Sequence, residues 1–327
     1  MVVVSLWDRP EDMPPSHDGQ RYHGCNRSKL RFLRHFLVNV LSRRWDVVWF
    51  QHRLLAPLAG VVRMLTRAKV MVWVFGLEVW SPPSLCARVS LRTADRVLSI
   101  STFTAQRCEE LYGVPHDRMR ICPLGVSQSL DTSDGEPVGG LPQGPCVLVV
   151  SRLALPAAEQ KGVLRVCQAM VKVIGQVPDA SCVVVGDGPE RRAIQATVEE
   201  LGLGSRIVFM GHLRDAELSW VYRKAAVLAL PSTVEGFGLV YVEAMAHRVP
   251  VVAGHLDAAT DVVVDGGTGL LVDPLDVEAI AQALVTLLKD EKLRATMGMA
   301  GYHRVQEEFT YQAMERRLLA VFNEMES

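Results

Sequence analysis

Two acids, Glu235 and Glu243, bracket the segment E-G-F-G-L-V-Y-V-E, which follows an apolar run and leads into a helical pattern. Gly236 and Gly238 fall where a strand ends and a helix begins. Several backbone N–H groups there lack an intrahelical partner, and together with the helix dipole they suit an anion. The two glycines let a phosphate come close to the backbone. Two cations fit the same chemistry: Arg152 follows the apolar run C-V-L-V-V-S, and Lys161 opens the next helical pattern. In a parallel sheet both lie at the edge that carries the E-G-F-G loop. A guanidinium, an ammonium and a helix N-terminus can thus converge on a diphosphate. Carboxylates would repel that anion, so Glu235 and Glu243 are expected to face neutral hydroxyls, for which an ionised carboxyl is an acceptor. Glu243, one turn into the helix, suits a ribose diol, and Glu235 the diol of a second sugar. A diphosphate flanked by two sugars is a nucleotide sugar.

Positioning these groups takes a repeated β-α rhythm. At 327 residues, 49% hydrophobic and 22% charged, the chain has the composition of a globular protein of about two domains. D-V-V-W-F, K-V-M-V-W-V-F and R-V-L-S-I read as buried parallel strands with helices between them. T-A-Q-R-C-E-E-L-Y-G is a helix opened by Ser101 or Thr102 and closed by Gly113. The stretch S-Q-S-L-D-T-S-D-G-E-P-V-G-G-L-P-Q-G is poor in large apolar residues and reads as a linker. Beyond it the alternation restarts. The expected fold is α/β, with two doubly wound domains facing a cleft. The domains span residues 1–126 and 145–309, with the linker at 127–144 and a final helix at 310–327 crossing back onto the first domain. The chain opens on the strand M-V-V-V-S-L with no strand–Gly-loop–helix unit ahead of it, so the first domain is expected to lack its first β-α unit.

The net charge of −1 conceals an asymmetry. Between residues 19 and 77 stand Arg21, Arg27, Lys29, Arg31, Arg34, Arg43, Arg44, Arg53, Arg63, Arg67 and Lys69 against the single acid Asp46. Within this window Leu30, Leu33, Leu37 and Leu41 recur at helical spacing among the cations. Such a helix either lies on an anionic membrane surface or turns its apolar stripe onto its own domain and leaves its arginines solvated. No nucleic-acid motif accompanies the charge, which argues against a nucleic-acid partner. Seven scattered cysteines without a C-x-x-C pair read as reduced thiols of a cytoplasmic protein. No D-x-D triplet and no histidine pair at zinc-ligand spacing occurs, so no metal and no cofactor beyond the donor is expected. His212 and His247 read as solvated or core residues.

Arg152 with Lys161, then G-D-G-P-E, P-S-T-V-E-G-F-G-L-V-Y-V-E-A-M-A, V-P-V-V-A-G and D-G-G-T-G-L-L-V-D-P-L-D, resemble the retaining glycosyltransferases of the GT-B fold often called family 4, the group 1 glycosyl transferases. The likeness runs from about Trp45 to the C-terminus and is most specific over 147–276. It implies two Rossmann-like domains, a nucleotide-sugar donor and transfer with retention by same-face attack, the leaving phosphate acting as base. It also implies roles for single residues. Arg152 and Lys161 would bind the diphosphate, Glu235 the transferred sugar and Glu243 the ribose. Gly236 and the amides of Phe237, Gly238 and Leu239 would lie near sugar and phosphates. Gly186, Asp187 and Gly188, with Gly211, His212 and Leu213, look like the walls of the base pocket. Two departures stand out. Phe75 sits where the family often has a histidine, and A-G-H-L-D-A-A-T-D replaces the commoner G-G-x-P-E, so Asp257 to Asp261 either tune the sugar pocket or only shape a loop.

The expected activity is hexosyl transfer from a UDP- or GDP-linked sugar to a glycan or lipid-linked acceptor in polysaccharide or glycolipid synthesis. It is expected in the cytoplasm, with peripheral contact to the inner membrane face through the basic 21–69 region. The alternative is a nucleotide-binding remnant whose shortened first domain no longer supports transfer.

Overall fold

The computed structural model describes residues 1–14, 20–127 and 136–326. The first part of the chain runs β1 (Val2–Ser5), β2 (Arg21–Gly24), α1 (Lys29–Ser42), β3 (Val47–Phe50), α2 (Leu58–Leu65), β4 (Lys69–Val74), α3 (Leu85–Thr93), β5 (Arg96–Ser99), α4 (Thr102–Tyr112) and β6 (Met119–Ile121). Strands β3 to β6 form a parallel sheet in sequence order, and β1 pairs in parallel with β2 alone. The short, polar R-Y-H-G of β2 carries no strand signature of its own; pairing with β1 makes it one. In β4 the period of two sends Val70, Val72 and Val74 to one face and Met71 and Trp73 to the other. Both faces are covered, which is why the strand is apolar throughout. Helix α4 starts at Ser101, whose hydroxyl accepts the Thr104 N–H at 3.1 Å, and ends on Gly113 in the left-handed region.

The second part runs β7 (Cys146–Val150), α5 (Ala157–Gln160), α6 (Val163–Gln176), β8 (Ser181–Val185), α7 (Arg191–Glu200), β9 (Ile207–Gly211), α8 (Asp215–Lys224), β10 (Val227–Leu230), α9 (Leu239–Ala246), β11 (Val251–Gly254), α10 (Ala259–Val262), β12 (Gly269–Val272), α11 (Val277–Lys289), α12 (Glu291–Glu308) and α13 (Tyr311–Glu326). Its six strands are all parallel, in the order β12-β11-β10-β7-β8-β9. The chain therefore leaves one edge at β9 and returns on the other side of β7. The crevice outside the ends of β7 and β10 is a topological switch point, where open α/β sheets bind ligands.

Helix α12 has no obvious apolar stripe, and its Gly298 and Gly301 weaken a helical reading. The reason for both glycines is close approach: a Cβ on Gly298 would stand 2.0 Å from the Arg248 carbonyl oxygen, and one on Gly301 2.9 Å from Met245 Cγ. Helix α13 lies against the four-stranded sheet. Phe322 meets Trp49 edge-on at 6.0 Å, Trp49 stacks on Trp73 and Trp73 on Phe75, and Glu324 pairs with Arg96 and Arg120. One apolar cluster thus runs from the six-stranded sheet through α13 to Met71, Trp73 and Leu98. A second lies on the opposite face, beneath α1, α2, α3 and α4.

Residues 128–135 of the expected linker lie outside the described residues. Just after them the Glu136 N–H donates to the Ala216 carbonyl at 3.0 Å and its carboxylate pairs with Arg214. All seven cysteines are free thiols, and only Cys86 is exposed.

Candidate active site

The strand ends of the six-stranded sheet gather four backbone turns. The Ser151 N–H donates to the Val185 carbonyl (3.0 Å), the Leu153 N–H to the Asp187 carbonyl (3.0 Å) and the Gly186 N–H to the Gly211 carbonyl (2.7 Å). Residues 151–153, 186–188 and 211–213 are therefore knitted side by side. The Asp187 carboxylate caps the Gly188 N–H at 2.8 Å and reaches Arg191 at 3.4 Å, while His212 is exposed. The last turn, Pro231–Gly238, leaves β10 next to β7.

At the switch point a cleft of about 150 Å³ is lined by Ser151, Arg152, Lys161, Glu235, Gly238 and Leu239, among others. Gly238 adopts φ +91°, a conformation that favours glycine, and turns the chain into α9. Leu239 and Val240, the first residues of α9, line this space, and the N–H groups of a helix's first turn lack intrahelical partners. The Arg152 side chain is exposed and has no ion pair among the described residues. Lys161 is already engaged, because its ammonium pairs with the Glu235 carboxylate and approaches the Val234 carbonyl at 3.4 Å. The other Glu235 oxygen accepts the Gly236 N–H at 3.1 Å. Glu235 thus faces Lys161 and not a hydroxyl.

Glu243 sits one turn into α9, where its Oε2 accepts the hydroxyl of the buried Tyr222 at 2.9 Å. Burial raises its pKa, the Tyr222 hydrogen bond opposes the rise, and the charge of Asp215 adds to it. This pairing answers why an acid survives on an apolar helix: one oxygen has a fixed donor and the other is left for a partner. Tyr222 carried no sequence signal, since nothing in W-V-Y distinguishes a hydrogen-bonding tyrosine from a core one. His247 is a core residue, stacked on Tyr222 at 5.2 Å and hydrogen-bonded to the Ser219 hydroxyl and the Glu243 carbonyl. Phe237 is buried against Phe309, and Leu239 is exposed at the cleft.

The two parts of the chain meet at the same loop. The Ser101 hydroxyl donates to the Gly236 carbonyl at 2.9 Å, and Asp261 accepts the Phe103 N–H at 3.1 Å. A Cβ on Gly76 would stand 2.8 Å from Gly236 Cα, so the chains approach as only two glycines permit. Among the described residues no group of three or more His, Cys, Asp or Glu could hold a metal ion.

The family model of the glycosyl transferases group 1 matches residues 140–304, and that of the glycosyl transferase 4-like domain matches residues 1–125. The chain belongs to the group 1 glycosyl transferases. It is 33% identical over 294 residues to the GDP-mannose-dependent alpha-(1-6)-phosphatidylinositol monomannoside mannosyltransferase of Mycolicibacterium smegmatis, covering 84% of this chain and 75% of the relative. A GDP-mannose-dependent monoacylated alpha-(1-6)-phosphatidylinositol monomannoside mannosyltransferase of Corynebacterium glutamicum is 30% identical over 305 residues, covering 87% and 78%. Among solved structures, sucrose-phosphate synthase from Thermosynechococcus elongatus superposes with a TM-score of 0.74 at 26% identity, covering 90% of this chain and 77% of that one. As a member of the group this glycosyltransferase has the GT-B architecture and transfers a sugar from a nucleotide sugar with retention of configuration.

Proposed function

We propose that this glycosyltransferase moves a hexose from a GDP- or UDP-linked donor to a lipid-linked or glycan acceptor, without a metal ion, in the cytoplasm at the inner face of an anionic membrane. The observation that carries the donor side is the convergence at the switch point of the unpaired Arg152 guanidinium, the Lys161 ammonium and the N-terminus of α9. In this reading Arg152 and Lys161 hold the diphosphate and stabilise the charge it gains as the bond to the sugar breaks. Glu235, freed of Lys161, turns to the transferred sugar, with Gly236, Phe237, Gly238 and Leu239 beside it. Glu243 takes the ribose with the oxygen that Tyr222 leaves open. Gly186, Asp187, Gly188, Gly211, His212 and Leu213 flank the base. Residues 145–309 act as the donor domain and 1–126, with the returning helix 310–327, as the acceptor domain, 127–144 linking them. Closure at Gly76 and Gly236 excludes water from the reacting groups. GDP is favoured over UDP because the two relatives described above are named for GDP-mannose.

Exposed apolar side chains support the membrane contact. Helix α1 buries Phe32, Phe36 and Val40 and turns Leu30 (80% exposed) and Leu41 (62%) outward, among Lys29, Arg31 and Arg34. The neighbouring α2 adds Met64 (86%) beside Arg63. Apolar side chains projecting among cations suit insertion at an anionic interface. Among the described residues no helix is long and apolar enough to cross a membrane.

Calorimetric titration with GDP, UDP and ADP tests the donor site. One nucleotide should bind, and Arg152→Ala should weaken it at least tenfold, about 1.4 kcal/mol. A folded protein that binds none of them sinks the reading. Binding without transfer to any acceptor and without donor hydrolysis would favour the remnant.

A further inference from the structure

A second carboxyl stands behind the Lys161–Glu235 pair. Asp257 lies between β11 and α10 with its side chain 1% exposed. Its Oδ1 accepts the Ala259 N–H at 3.0 Å, while Oδ2 is buried without a hydrogen-bond partner among the described residues. The next residue ties this loop to the site, because the Ala258 N–H donates to the Glu235 carbonyl at 3.2 Å. The groups whose charge reaches Asp257 come from two other elements, Glu235 from the loop ahead of α9 and Lys161 from the α5–α6 junction, and the Asp257 charge in turn helps to raise the pKa of the buried Tyr241 of α9. The Ser232 hydroxyl lies nearby. On its own short helix Asp261 follows one turn later, with its carboxylate committed to the Phe103 N–H. The charges of both members of the Lys161–Glu235 pair thus act on the buried Asp257 carboxyl.

We propose that Asp257 is a positioning residue that governs whether Lys161 is available to the donor diphosphate: protonated, it releases Lys161 to the phosphates, and ionised, it holds the ammonium back beside Glu235. This deepens the donor-site reading and rests on it. A diphosphate entering the cleft draws Lys161 away from Glu235. If Asp257 is ionised at that moment, two like charges remain side by side near the anion, an arrangement that raises the pKa of one of them. Taking up a proton on Asp257 relieves it. Burial above all, with the charge of Glu235, holds the Asp257 carboxyl up at about 7 against the Ala259 N–H, the Ser232 hydroxyl and Lys161, which pull it down. Below that pH the carboxyl is neutral and the diphosphate binds at full strength. Above it, binding carries a proton uptake and weakens as pH rises.

The test is calorimetric titration of the full chain with GDP, and with UDP where GDP does not bind, at pH 6, 7 and 8. Wild type is compared with Asp257→Asn, which keeps an acceptor for Ala259 and cannot ionise. The ratio of wild-type to variant Kd should rise about tenfold from pH 6 to pH 8, as one linked proton requires. A ratio that stays constant, even if far from one, overturns the proposal, because a merely structural role shifts binding equally at every pH. Should the variant fail to fold, wild type alone decides. At pH 8, titrations in two buffers of different ionisation enthalpy should show uptake of close to one proton per nucleotide, and no uptake overturns the proposal. If the folded wild type binds neither nucleotide at any pH, the donor-site reading falls and this proposal with it. Binding with no proton linkage removes only the proposal.

Discussion

Lys161 is paired with the carboxylate of Glu235, and Arg152 has no ion-pair partner among the described residues. The types of both cations and their places after β7 were legible in the sequence, because strand ends and glycine turns announce themselves. Their partners were not. Which carboxylate an ammonium takes depends on distances that spacing does not encode. Glu243 shows the same limit, since its role as an acid on an apolar face was readable and its hydroxyl partner Tyr222 was not. The raised pKa of Glu243 has a sign that can be checked. A carboxyl that binds its proton more tightly when folded makes the protein less stable as pH rises through its folded pKa. Glu243→Gln, whose amide oxygen still accepts from Tyr222, should therefore raise Tm more at pH 8 than at pH 5. The same variant should weaken GDP about tenfold, near 1.4 kcal/mol, and leave inorganic pyrophosphate unchanged. Equal losses for both ligands would place Glu243 at the phosphates and not at the ribose.

Helix α1 carries two stripes at helical spacing, and the period alone does not choose between them. Phe32, Phe36 and Val40 face the core, Leu30, Leu33 and Leu41 face out, and Leu37 packs at the edge of the core. Aromatic rings bring more area to a core than leucines do, and Phe36 finds Phe50 at 6.0 Å. The leucines that recur at helical spacing are thus divided, Leu30, Leu33 and Leu41 turned outward and Leu37 packed against the core, which is built chiefly by the other stripe. Replacing Leu30 and Leu41 by serine removes exposed area only, so melting should shift little. Co-sedimentation with vesicles containing anionic phosphatidylserine should nevertheless fall several-fold, since each buried CH₂ contributes about 0.8 kcal/mol. Unchanged sedimentation would return the helix to the status of a solvated surface. The glycines of α12 illustrate the opposite problem, a local propensity overridden by the need to lie close to α9.

At the scale of the whole molecule, the β-α rhythm made the six-stranded sheet readable, while the separate pairing of β1 with β2 was not. Two-strand pairing is decided by which edges meet, and the sequence of neither strand records it. Helix α13 ties the two parts together through Phe322 and Glu324. Phe322→Ala should lower stability by about 2 kcal/mol, less than the ~3–5 kcal/mol of a fully buried ring because Phe322 is only partly buried. Fluorescence of Trp49 and Trp73 should report unfolding at a lower temperature than in wild type, ahead of the signal from the six-stranded sheet. Coincident transitions at an unchanged temperature would show that α13 does not hold the four-stranded sheet.

The crossing of α13 also has a consequence for how the chain is made. The strands that α13 covers are synthesised well before the helix that covers them. At ~5–20 residues per second, the roughly 200 residues between β6 and the end of α13 take on the order of 10–40 s to emerge from the ribosome. For that interval the Trp49–Trp73 face of the first sheet waits uncovered on the nascent chain, a natural foothold for a chaperone and a point where slowed translation would invite aggregation.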